Sequence, residues 1–234
     1  MKKYFSFALV AALLLASTAF VLRPAQAQGP GLVSGILNKM ERNRRELHSL
    51  RAAMTMQKWN AQIHEEEMSR GEVQYVAAQG RNANVRVDWT SPARELLAVS
   101  NGKYTLYRPR LNQAMVGTTA SLKGNPGKVN GVLGFGLNAS GAQIKSQYNV
   151  EVAGDGTLYD GGPHVWYLKF TPKTASGKFT EVWVDDSGMP VQTRVTEPNG
   201  DSTLVRLTNI ERNANVPPDA FDPKLPPDVK IVKS

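Results

Sequence analysis

The chain has 234 residues, 28 Lys and Arg against 20 Asp and Glu for a net charge of +8, and no cysteine. The length suits one substantial domain, and the missing thiols exclude a cysteine nucleophile, thiolate metal sites and a disulfide framework. The positive surplus is dispersed. Its one dense group, Arg42, Arg44 and Arg45, is flanked by Glu41 and Glu46, the pattern of a solvated helix face and not of a nucleic-acid surface.

Residues 1–27 read as a signal peptide. Lys2 and Lys3 form a basic start, an apolar run follows from Tyr4 to Leu22, and Ala25-Gln26-Ala27 is a small-x-small cleavage site with no acidic residue before it. Ser6, Ser17 and Thr18 weaken the run as a permanent anchor. Export and cleavage before Gln28 are therefore expected, leaving 28–234 as the mature domain in the periplasm or outside the cell. Because position 28 is Gln and not Cys, no lipid attachment is expected there.

From Gly31 to Leu50 the apolar residues Leu32, Val33, Ile36, Leu37, Met40, Leu47 and Leu50 recur at helical spacing, which predicts one amphipathic helix. Period-two runs follow. Met54 and Met56 alternate with Thr55 and Gln57, and Val73 and Tyr75 alternate with Glu72 and Gln74. Val85, Val87 and Trp89 alternate with Arg86 and Asp88, the cleanest half-buried strand, closed by Pro92. Leu96–Ser100 and Lys103–Arg108 flank Asn101-Gly102, a type I′ hairpin signal. Between Gly117 and Gly141 seven glycines surround the apolar centre Val132 to Leu137. Each interior glycine costs a helix about 1 kcal/mol relative to alanine, so either a mobile segment with an apolar face or a plain loop fits. Strands resume at Tyr148–Val152, His164–Thr171, Lys178–Val184, Val191–Glu197 and Ser202–Arg212, separated by turn residues. The tail from Val216, with five prolines, predicts an extended wrap, and Val229–Val232 predicts a last edge strand.

Catalytic constellations are missing. His48, His64 and His164 are in no metal-ligand spacing, and His64-Glu65-Glu66-Glu67 reads as a solvated turn. Gly124-Asn125-Pro126-Gly127-Lys128 lacks the spacing and the following Ser or Thr of a phosphate loop. No nucleophile, base and acid can be assembled, so neither an enzyme nor a cofactor is expected.

Gly71-Glu72-Val73, the run from Arg81 to Pro92, Val99 to Lys103 and Tyr107-Arg108-Pro109 come in a fixed order. A second block runs from Phe179-Thr180-Glu181-Val182-Trp183-Val184-Asp185 to Val216-Pro217-Pro218-Asp219-Ala220-Phe221. In that order they resemble the LolA family of periplasmic lipoprotein-localisation carriers. The resemblance implies an α+β single-domain fold: an unclosed antiparallel β-barrel with an N-terminal helix and a helical, Gly-rich lid over an apolar cavity. It also implies a function. Members take acylated lipoproteins from an inner-membrane release complex and hand them to an outer-membrane receptor. The partners would be acylated lipoproteins, that release complex and, where one exists, the receptor, with the carrier itself a periplasmic monomer. An acyl chain costs on the order of 10 kcal/mol to place in water, at about 0.8 kcal/mol per methylene, so such cargo needs an apolar cavity that also lets go.

The resemblance also assigns residues. Arg81 matches the family's arginine that latches the lid, although the proline that follows it in the family is Asn82 here. Val85, Val87 and Trp89 match the inward apolar face of the family's strand and are expected to line the cavity. Met54 and Met56 join them, since flexible thioethers suit varied chains. Val132, Leu133 and Phe135 fall where the family has its apolar lid helix. An ordinary packed core is the competing reading for each. Two other functions share the fold: a carrier of free lipid or glycolipid, and the sensor domain of a sigma-factor regulator.

Overall fold

The computed structural model describes residues 30–77, 83–119, 140–174 and 176–233. It opens with helix α1 (Pro30–Glu46), whose Ile36, Leu37 and Met40 form a buried stripe. The helix is shorter than the spacing predicts. Leu47 N–H still reaches the Asn43 carbonyl at 2.9 Å, but from Ser49 onward Leu50, Ala52, Met54 and Met56 are buried and alternate with partly exposed residues. That period of two belongs to strand β1 (Ser49–Asn60). Leu50 matched a helical spacing only by coincidence, because it also continues the strand's inner row.

Eleven further strands follow. They are β2 (Glu65–Ala77), β3 (Ala83–Ser91), β4 (Glu95–Ser100), β5 (Lys103–Arg108), β6 (Gln113–Thr118), β7 (Tyr148–Thr157), β8 (His164–Pro172), β9 (Phe179–Asp185), β10 (Pro190–Thr196), β11 (Ser202–Arg212) and β12 (Lys230–Lys233). A short helix α2 (Gly141–Gln147) precedes β7, held by a capping box between Ser140 and Gln143. The expected hairpin at Asn101-Gly102 is present, with φ of 50° and 72°, the two left-handed residues that a type I′ turn requires. Strand β2 starts at Glu65, so Glu65, Glu66 and Glu67 are exposed strand residues, and only His64 of that group is in the turn.

All twelve strands join one sheet in the order β12-β6-β5-β4-β3-β2-β1-β11-β10-β9-β8-β7. Neighbours are antiparallel except β12 and β6, which run parallel. The two ends, β12 and β7, do not pair, so the sheet is an unclosed half-barrel. Helix α1 covers the β7–β9 end of the inner face, where Ile36, Leu37 and Met40 pack on Leu168, Phe170, Val182 and Val184. The approach is closest at the β9–β10 turn, where a Cβ on Gly188 would be 2.4 Å from the backbone carbonyl of Lys39.

The tail crosses the outer face, but it is not extended throughout as expected: Pro218–Phe221 form a 3₁₀ turn, for which proline at the first position is well suited. Arg86 donates to the Ala220 carbonyl at 2.9 Å and Phe221 is buried, after which β12 forms the edge strand expected near Val229–Val232. On the same outer face Tyr167 donates to Glu181 and stacks on Trp183 at 4.7 Å, and Arg194 is 3.5 Å from Glu181. Burial, and then the bond to the Glu181 carboxylate, push the Tyr167 phenol up to about 12.

Candidate functional site: the apolar inner face

Strand alternation decides which side chains share the inner face. In β1 they are Leu50, Ala52, Met54 and Met56, and the register carries the same face across the sheet. Leu50 is opposite Tyr75 and Tyr75 opposite Val85; Met54 is opposite Gly71 and Gly71 opposite Trp89. One long row runs over six strands: Ala52, Val73, Val87, Leu97, Leu106 and Met115. Every member is apolar.

The structure thus brings Met54, Met56, Val85, Val87 and Trp89 together in one buried cluster. The two methionines belong to β1 and the other three residues to β3, with β2 between. At the centre β2 presents only Ser69 opposite Met56 and Gly71 opposite Met54 and Trp89. Side chains on Gly71 are barred by the backbone of β3, since a Cβ there would lie 2.3 Å from the Asp88 carbonyl oxygen. The Met54 and Trp89 side chains therefore face each other across a position without one.

Exposure grades along the long row. Val87 is fully buried, while Leu97, Leu106 and Met115 are only partly buried and pack against the cluster. These three were missed by sequence reasoning. Leu97 is in the doubly apolar run Leu96-Leu97-Ala98-Val99, where period two is invisible, and β6 carries too few apolar residues to announce itself. Charged groups stay at the margins, while the Tyr75 phenol is inside the cluster. Burial raises the Tyr75 phenol, with the Arg44 charge acting against it. Glu95, opposite Trp89, pairs with Arg108 at 3.3 Å on the rim.

A polar clamp ties the two helices beside this face. Arg44 donates twice to Glu41, at 2.6 and 3.1 Å, and Glu41 accepts the Gly141 N–H at the start of α2 at 3.1 Å. The Arg44 bond, against some desolvation, holds the Glu41 carboxyl below its ordinary range. Arg81, Asn82, Val132, Leu133, Phe135 and the signal-peptide residues 1–27 lie outside the described residues. Among the described residues no group of three or more His, Cys, Asp or Glu could hold a metal, and no helix is long and apolar enough to cross a membrane.

An open sheet with helices laid on an apolar inner face defines a class of binding protein. The family model for the outer membrane lipoprotein carrier protein LolA matches residues 62–224, more than half of the chain, and the chain belongs to the LolA family. As a member of that family it is a periplasmic protein with a carrier fold for lipid or lipoprotein, and not an enzyme. No curated protein sequence matches.

Solved structures agree on the fold. An uncharacterized conserved protein from Thermus thermophilus superposes with a TM-score of 0.53 at 16% identity, over 87% of this chain and 99% of that one. MucB gives 0.56 at 16% identity, over 87% of this chain and 66% of that one. In the Pseudomonas aeruginosa MucA/MucB complex the score is 0.50 at 16% identity, over 80% and 59%. The chain thus spans about six-tenths to two-thirds of the MucB structures it matches.

Proposed function

We propose that the inner face takes up the acyl chains of lipoproteins and that the protein carries them from the inner to the outer membrane. The observation that carries this reading is the six-strand apolar row, which ends in the partly exposed Leu97, Leu106 and Met115. A purely structural core would close over these side chains. Partly open, they offer a flexible apolar surface on which methylenes gain about 0.8 kcal/mol each. Met54, Met56, Val85, Val87 and Trp89 form the floor of that site in this proposal. Val132, Leu133 and Phe135 supply its lid and Arg81 the latch. The partners are acylated lipoproteins, an inner-membrane release complex and an outer-membrane receptor.

A second reading draws on the MucA/MucB complex: the same surface engages a partner protein, as in a sensor. A titration with a fluorescent fatty acid separates the two. Saturable binding is expected, weakened roughly tenfold or more in Leu106→Glu, because a carboxylate in the apolar row must be desolvated by the incoming chain. Leu111→Glu, at a residue 63% exposed, should bind as the wild type does. Equal affinity in all three proteins, or no saturable binding, contradicts the acyl site.

A further inference from the structure

The opposite face of the sheet carries a groove of about 400 Å³, within the roughly 300–1,000 Å³ usual for small-ligand sites. Its floor is two adjacent rows of cross-strand neighbours. One row is Glu66, Trp59, Ser202, Thr196 and Phe179, and the next is Gln57, Leu204, Arg194 and Glu181. Gln57 alternates with Met56, so this surface points away from the acyl face. We propose that the groove binds a neutral oligosaccharide.

Four features select that class. Trp59, 36% exposed, meets His64 only edge-on at 6.0 Å, which leaves its ring available to stack on the apolar face of a sugar. Gln57 and Glu66 are beside it and the Ser202 and Thr196 hydroxyls continue its row, with the Arg194 guanidinium further along the groove and the largely buried Glu181 beneath that. Arg194 and Glu181 are fixed in advance. Glu181 is held by Tyr167 and Arg194, and the Arg194 guanidinium is 5.6 Å from the Trp183 ring, so little side-chain ordering remains to oppose binding.

Charge supplies the third feature. Glu66 and Glu181 are offset by Arg194 and by Lys169, whose ammonium is 4.8 Å from the Phe179 ring. Phosphorylated or acidic chains therefore gain no attraction. An apolar ligand would strip water from these ions without replacing it. Topology is the fourth. The floor belongs to β2, β1, β11, β10 and β9, all interior strands with both edges paired, so a peptide cannot dock here by adding a strand.

The test is an NMR titration of the intact mature protein, following the Trp59 indole and Gln57 amide signals. Cellotetraose, maltotetraose and chitotetraose are the neutral probes and tetragalacturonate the acidic one. At least one neutral tetrasaccharide should shift both signals saturably, Trp59→Ala should weaken it about tenfold, and Trp59→Phe should retain most of the binding. If no neutral probe shifts the signals, if Trp59→Ala binds unchanged, or if tetragalacturonate binds best, the proposal is overturned. Two sources supply such a chain. Sedimentation with peptidoglycan sacculi, competed by the tetrasaccharide, assigns it to cell-wall glycan. Flotation with vesicles bearing a neutral glycolipid, competed likewise, assigns it to a lipid headgroup.

Discussion

Glu41 is a single carboxylate shared by two helices, accepting from Arg44 on its own helix and from the Gly141 N–H on α2. Its folded pKa is depressed below 4.5, so its contribution is complete above that value and is lost as pH falls through the folded value. Glu41→Gln should cost about 1 kcal/mol of stability at neutral pH, with the difference shrinking as pH falls from 4.5 through the folded value. Urea unfolding of both proteins across that range checks it, and a pH-independent gap would contradict it. His164 has the opposite sign. Hydrogen bonds to Asp155 at 3.1 Å and then to Asp186 at 3.2 Å raise its pKa above the ordinary 6.5. Its contribution is full below 6.5 and disappears as pH rises through the folded value. An NMR titration should place the imidazole midpoint above 6.5 and return it toward that value in the Asp155→Asn, Asp186→Asn double variant.

Among the elements, α1 and the β9–β10 turn are tightly fitted. Gly188 has a φ of 86° and no room for a Cβ against Lys39. Gly188→Ala combines backbone strain with a collision between main chains and should cost about 3 kcal/mol. In calorimetry that is a fall in Tm of roughly 10 °C; an unchanged Tm would mean that α1 can shift at no cost. Elements with strict alternation, such as Val85-Arg86-Val87-Asp88-Trp89, were legible because period two and burial coincide. The Asn101-Gly102 turn was legible because few residues accept two positive φ values. The end of α1 was not, since Leu50 satisfies both periods at once, closing the helical spacing after Leu47 and opening the inner row of β1. Helix α2 was hidden by its length, and β6 by side chains such as Gln113, Gly117 and Thr118 that proclaim no strand.

For the whole molecule, the order of hairpins specified an antiparallel sheet, but nothing local specified that it would curl and stay open. That depends on register, on the bulges between Arg51 and Ala53 and between Arg70 and Gly71, and on α1 filling one end of the inner face. The candidate site was legible in the same measure. Met54, Met56, Val85, Val87 and Trp89 could be chosen by alternation and family resemblance, whereas Leu97, Leu106 and Met115 become neighbours only through the ladder from β3 to β6. The outer groove was invisible, because its two rows draw single residues from five strands spread over the chain. The central claim is that the inner face carries acyl chains, and mass spectrometry of what co-purifies with the mature protein from its own periplasm tests it most directly. Acylated protein or peptide in the bound fraction is the expected result. A ligand-free protein that also fails to take up a fluorescent fatty acid would show that the inner face is filled by its own side chains, and would contradict the claim.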